Sequence, residues 1–214
     1  MKKFELLAES KINWFGRTLY RIKACISFIT TTGVEVSAGE LGGWIEKEQN
    51  LSQEGKAWVC GDAKVWGNAK VCGDAKVWGN AKVWGNAEVW GNAEVCGDAK
   101  VCGDAEVWGN AKVCGDAEVC GDAFLSSPDH ILNITPIGKY KQSLTLFRTK
   151  KYSIIISFDW ELYTIEEFDS VMTNWTEKQI KVAKAAIEVA KLHIELTGTK
   201  ENPLILTWEL AEDI

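Results

Sequence analysis

From Ala57 to Asp122 the chain consists of eleven consecutive six-residue units: AWVCGD, AKVWGN, AKVCGD, AKVWGN, AKVWGN, AEVWGN, AEVCGD, AKVCGD, AEVWGN, AKVCGD and AEVCGD. No insertion interrupts the run, and a twelfth, degenerate unit opens at Ala123-Phe124-Leu125. Within a unit Ala and Val stand two apart, the period of a strand with one buried face. The Gly-Asn or Gly-Asp that follows supplies residues tolerant of left-handed backbone angles. Each unit therefore predicts a four-residue strand and a corner. Two folds use such pieces, a meander of tiny hairpins and a solenoid. In the meander, Ala would face Trp or Cys of the next strand and Val would face Lys or Glu, which puts charge on the apolar face. If three units instead make one triangular lap, Val stacks on Val and Ala on Ala in parallel register. The solenoid is the consistent solution, with about 3.7 laps from the eleven units.

The order Val-x-Gly-Asn-Ala-x resembles the hexapeptide repeat of left-handed parallel β-helices, with the large aliphatic at Val65, the corner at Gly67-Asn68 and the small residue at Ala69. That resemblance implies the left hand, which periodicity alone does not. Outside the repeat, LGGWIEKEQNL at 41–51 and LTLFRTK at 144–150 resemble an uncharacterised hexapeptide-repeat family common in phages and bacterial prophages. The fold class expected is mainly β: a left-handed parallel β-helix, three hexads per coil, with an N-terminal β cap over 1–56, the β-helix over 57–128 and a C-terminal α+β domain over 129–214. So short a stack has two open ends, and the flanks are expected to cap them. Strands are expected at Ser143 to Phe147, Tyr152 to Phe158 and Leu204 to Trp208. Capping boxes at Thr164-Ile165-Glu166-Glu167 and Thr176-Glu177-Lys178-Gln179 open two helices, the second reaching about Leu196. Its seam of Ile180, Ala183, Ile187, Ala190 and Ile194 packs on its own domain or makes an oligomer contact.

Charge narrows the function. With 24 basic and 30 acidic residues the net charge is −6, so no global basic field holds nucleic acid. No apolar run is long enough to span a membrane, and the amino end has no sustained apolar stretch. Seven cysteines, six of them in the repeat without Cys-x-x-Cys spacing, fit reduced thiols in a cytosol better than a disulfide framework. A cytoplasmic protein, in the host cytoplasm if phage encoded, is the expectation.

Alternation sends the residue after Val outward, so Trp66, Trp78, Trp84, Trp90 and Trp108 share the outer surface with Cys60, Cys72, Cys96, Cys102, Cys114 and Cys120. Contiguous apolar columns of this kind point to a partner surface, and the simplest partner is another copy. The wider β-helix group implies a cyclic trimer. Every Trp that follows Val is continued by Gly-Asn and every such Cys by Gly-Asp, so two unit types have been shuffled and single columns also record duplication. The candidate ligand- or partner-binding residues are Lys64, Trp66, Lys82, Trp84, Trp90 and Trp108. Lys64, Trp66, Lys82 and Trp84 set two lysines beside two stackable indoles on adjacent laps, a constellation suited to a base, a nucleotide or a sugar.

Catalysis has little to work with. The resemblance extends to acyltransferases and carbonic anhydrases, which use histidine on or beside the coils, and this chain has only His130 and His193. An acyltransferase-like enzyme would depend on His130 as its sole base. Stacked cysteines such as Cys96 with Cys114 do not complete a tetrahedral site, so no metal is expected, and no cofactor is implied. The reading is a non-enzymatic scaffold or binding module, a phage or prophage homotrimer whose partner is a host protein or a small molecule. No membrane partner is expected, and the charge disfavours nucleic acid. The alternative is a phage-encoded inhibitor that binds a host defence factor or sequesters a small nucleotide signal.

Overall fold

The computed structural model describes residues 2–196, so the strand expected at Leu204 to Trp208 lies outside the described residues. The amino-terminal segment holds a hairpin of β1 (Phe4–Ile12) and β2 (Thr18–Ala24), a smaller one of β3 (Phe28–Ile29) and β4 (Glu35–Val36), and then β5 (Leu41–Ile45). Twelve two-residue strands follow, one every six residues, from β6 (Trp58–Val59) to β17 (Phe124–Leu125). The carboxyl-terminal part carries β18 (Ile131–Ile137), β19 (Gln142–Arg148), β20 (Ile154–Phe158), β21 (Glu161–Tyr163), α1 (Ile165–Val171) and α2 (Glu177–Leu196).

The short strands stack as the repeat demands. Lys82 and Val83 pair in parallel with Lys64 and Val65 on one side and with Lys100 and Val101 on the other. The strands at 70–71, 88–89, 106–107 and 124–125 form a second face, and those at 58–59, 76–77, 94–95 and 112–113 a third. Each coil bonds to the next: the amides of Lys64, Trp66 and Asn68 donate to the carbonyls of Ala81, Val83 and Gly85 at 2.8–3.1 Å. Every Ala and Val of the repeat is buried in one continuous core. The molecule is a β-solenoid.

Stacking begins upstream of Ala57. Trp44 and Ile45 pair in parallel with Lys64 and Val65, and Leu51 bridges Val71, so residues 41–56 build a coil of their own. The first face thereby has five levels, Ile45, Val65, Val83, Val101 and Val119. Leu51 precedes Val59 by eight positions rather than six, and the strict six-residue count fails there.

Only the glycine of each corner takes a left-handed φ; the Asn or Asp after it does not, contrary to the sequence expectation. Those side chains act between coils instead. Asn80 Nδ2 donates to Asp98 at 3.0 Å, Asn86 to Asp104 at 2.8 Å, and Asn68 to Asn86 at 3.2 Å. The corner needs one residue without a Cβ and one short polar side chain that bonds to its counterpart a lap away.

Both ends are closed by the flanks. Phe4 and Ile22 join the solenoid core at one end, Phe147 at the other. There Glu118 N donates to Thr145 Oγ1 at 3.0 Å, and Arg148 Nε to the carbonyl of Phe124 at 3.2 Å. Strands β18 to β21 form an antiparallel sheet, and α2 covers it with Ala183, Ala186, Ile187, Ala190 and Ile194, all buried in a second core. The helix seam therefore packs on its own sheet, while Val182, Val189 and Leu192 stay exposed.

At the amino-terminal end the Lys3 ammonium is buried and donates to the carbonyls of Glu54 and Ala57 at 3.2 and 3.0 Å. Burial pushes its pKa down to about 8, against an opposing pull from Asp74. Between about pH 8 and the ordinary lysine value the unfolded chain holds the extra proton, so this group adds stability as pH rises through that window. The urea midpoint of the wild type minus that of Lys3→Met is expected to increase from about pH 7.5 to about pH 10. A difference that is flat or falls over that range contradicts the assignment.

Candidate functional site

The first face of the solenoid differs from the other two in its charge order. At its outward mid-strand positions Lys64, Lys82 and Lys100 stack directly in register. On the second face Lys70 meets Glu88 at 2.9 Å, and on the third Lys112 meets Glu94 at 3.4 Å. Opposite charges across a ladder stabilise it and like charges oppose it. Lys100 is relieved by an ion pair with Glu118 one lap further on. Among the described residues Lys64 and Lys82 have no carboxylate within ion-pair distance. Burial holds the Lys82 ammonium below the ordinary lysine value, reinforced by Lys100 and Lys64 and opposed by Asp98. Lys11, on the adjoining hairpin, is likewise lowered by burial and then by Lys64, although it also bonds to Asp62.

Beside this column stand the indoles. Trp66 and Trp84 are parallel, 1° apart in plane, with ring centroids at 5.1 Å. They are not an open platform. Phe15, in the turn between β1 and β2, lies 5.9 Å from Trp66 and 6.3 Å from Trp84, and Trp66 is buried. From the opposite end Trp160, in the turn between β20 and β21, approaches Trp84 at 6.4 Å and lies under the Lys100 ammonium, 3.6 Å from its ring centroid. Asp159 and Trp160 both have positive φ, 53° and 70°. A two-residue hairpin turn of this kind ordinarily takes Asn, Asp or Gly at both places, so Trp160 is held in a conformation that a bulky side chain disfavours. Beneath it lies a cavity of about 250 Å³ whose lining mixes Lys82, Lys100 and Lys141 with the carboxylates Asp98, Asp116, Glu118 and Asp159, beside Gln142, Ser143 and Trp160.

The six predicted site residues thus separate into two groups. Lys64, Trp66, Lys82 and Trp84 come together on the first face, but Trp66 is sealed by Phe15 and offers no surface. Trp90 and Trp108 form a second ladder at the end of the second face, 7° apart in plane with centroids at 4.9 Å, and Phe124 lies 5.6 Å from Trp108. Sequence reasoning misses Lys100, Phe15 and Trp160. Neither hairpin turn that carries the two aromatics is predicted from the sequence: Trp160 stands where such a turn ordinarily takes Asn, Asp or Gly, and nothing local says which face of the solenoid either turn overhangs.

The cysteines behave differently from expectation. Cys96 is bonded to Cys114, and Cys102 to Cys120, as disulfides. In-register stacking sets their Cα atoms 4.7 and 4.5 Å apart, within the range for a disulfide. The expectation of reduced thiols throughout is corrected for these four, whose sulfurs have each other as partners. Cys25, Cys60 and Cys72 are free thiols, and burial pushes those of Cys60 and Cys72 up. Among the described residues no three His, Cys, Asp or Glu side chains converge as a metal site.

His130 is buried at the end of the solenoid, where its Nδ1 accepts a hydrogen bond from the Ser126 amide at 3.1 Å. His193 Nε2 stands 3.7 Å from Asp129. No helix among the described residues is long and apolar enough to cross a membrane. Compared with protein-family models and with curated proteins, the chain matches none.

Proposed function

We propose that this β-solenoid is a non-catalytic scaffold and binding module that self-assembles as a trimer through its outer tryptophans. The observation that carries the reading is the Trp90–Trp108 ladder. Both indoles are half-buried, and two parallel rings make an apolar strip of the kind that anchors protein contacts. The position of His130 supports the absence of catalysis: a buried imidazole that accepts a hydrogen bond from a backbone amide closes the last coil and is poorly placed to take a proton from a substrate.

Residence in a host cytoplasm and encoding by a phage or prophage belong to the same reading, supported by the LGGWIEKEQNL and LTLFRTK resemblances. The two disulfides pull towards an oxidising compartment. The alkylation state of Cys96 and Cys102 in rapidly quenched cells reads the compartment directly.

Light scattering on the purified protein is expected to give three times the chain mass, and Trp90→Ser with Trp108→Ser is expected to give the monomer mass with an unchanged β-sheet spectrum. A monomeric wild type, or a trimer that survives both substitutions, rejects the assembly reading. A second reading, a module that captures a small signal molecule, is favoured by one specific observation: the like-charge lysine column on the first face.

A further inference from the structure

We propose that the first face is a ligand groove for a nucleoside di- or triphosphate, with the phosphate chain between Lys64 and Lys82 and the base against Trp160. The inference rests on the reading of the chain as a module that captures a small molecule and names that molecule's chemical class; it does not depend on trimer assembly.

Two independent features of the fold converge on it. The first is the charge ladder. On the other two faces Lys meets Glu of a neighbouring coil, with ion pairs at Lys70–Glu88 and at Glu94–Lys112. Only the first face stacks three lysines, and only the last of them, Lys100, meets a carboxylate. Corner acids act on the other two, Asp98 on Lys82 and Asp62 on Lys64, and each also accepts a hydrogen bond, from Asn80 and from the Trp44 indole respectively. Adjacent rungs are about 4.8 Å apart, so Lys64 and Lys82 straddle a span suited to two linked phosphates. An anion there removes the repulsion between the two ammonium groups, and lysine binds phosphate as a point charge.

The second feature is Trp160. Its backbone is in the left-handed region, which a bulky residue disfavours, and strain of this kind is retained where a side chain must be presented. Trp160 is 61% exposed even with the Lys100 ammonium over its ring and Trp84 at 6.4 Å, and it borders the cavity that Lys82 also lines. An exposed indole is a stacking platform for a base of any identity. Thr135, Gln142 and Ser143 line the same cavity and, with the carboxylates Asp116, Glu118 and Asp159, supply hydrogen-bonding groups for the hydroxyls of a sugar, while the phosphates stay at the lysines.

Calorimetry on the full chain with adenosine diphosphate, pyrophosphate and adenosine tests the two halves separately. Adenosine diphosphate is expected to bind, and each fragment at least about tenfold more weakly, a loss of about 1.4 kcal/mol. Lys64→Ala with Lys82→Ala is expected to abolish the affinity while leaving the melting temperature equal or higher, because a repulsion is removed. Trp160→Gly is expected to relax the turn and to reduce affinity to that of pyrophosphate. Pyrophosphate as tight as the nucleotide overturns the assignment of Trp160, and adenosine as tight as the nucleotide overturns that of the lysines. No heat from any of the three up to millimolar concentration overturns the groove altogether, whereas the assembly reading falls only with the mass measurement.

Discussion

Val89→Asp is expected to unfold the solenoid, whereas Glu88→Gln, one position earlier, is expected to leave stability within about 1 kcal/mol of the wild type. Val89 sits at the middle level of the second face, wholly buried, stacked between Val71 and Val107. A carboxylate there would lie among the aliphatic side chains of the core, with no cation to pair with. Either the charge is buried alone or the side chain is protonated at a cost, and single changes of this type cost about 3–5 kcal/mol. Glu88 points outward to Lys70, and an exposed pair of this sort contributes about 0.2–1 kcal/mol. Chemical denaturation followed by circular dichroism reads both. Similar losses for the two variants would mean that the strand does not alternate between core and solvent, and the solenoid assignment would fall with it.

The corner glycines supply the second large effect. Gly103 and Gly121 occupy the same corner on successive laps, with φ of 70° and 69°. A Cβ on Gly103 would stand 2.7 Å from the amide nitrogen of Gly121, whereas a Cβ on Gly121 would meet only the tip of the Leu162 side chain, at 3.0 Å. Both replacements by alanine carry the left-handed strain of about 1–2 kcal/mol. Only Gly103→Ala must also push apart two coils held by the 2.9 Å bond from Asp104 N to Gly121 O. Its expected total is about 3 kcal/mol or more, against about 1–2 kcal/mol for Gly121→Ala. Equal shifts in the thermal midpoint would show that the backbone angle alone demands glycine. A larger shift at Gly103 would show that the close approach of the next lap demands it as well.

The interior of the molecule is legible from one line of sequence because its constraint is local. Val65, Val83 and Val101 must share a face if Lys64, Lys82 and Lys100 are to stay in water, and a lap of three units does that without further information. The capping boxes at Thr164 and Thr176 are equally readable; Thr164 accepts from the Glu167 amide at 3.2 Å as the motif requires. The upstream coil is not, since the longer step from Leu51 to Val59 breaks the count on which the argument relies. The role of the corner Asn and Asp escapes a local reading because a side chain that bonds to the next lap looks, one unit at a time, the same as one that eases a turn.

For the candidate site, the in-register meeting of Lys64 with Lys82 and of Trp66 with Trp84 follows from the period alone. What covers them does not. Phe15 and Trp160 come from hairpins on opposite sides of the repeat in sequence, and both approach Trp84. The same stacking brings Cys96 to Cys114 and Cys102 to Cys120 within bonding distance, a consequence of register that a composition argument for reduced thiols overlooks.

The six-residue period by itself determined what is inside, what is outside and which residues are neighbours a lap apart, because every one of those relations repeats with the backbone. The tertiary structure decided which outer columns remain open, which are sealed and which lysines lack a counter-ion. Those depend on where non-repeating hairpins and end caps come to rest, and contacts between segments far apart in the chain leave no period to read.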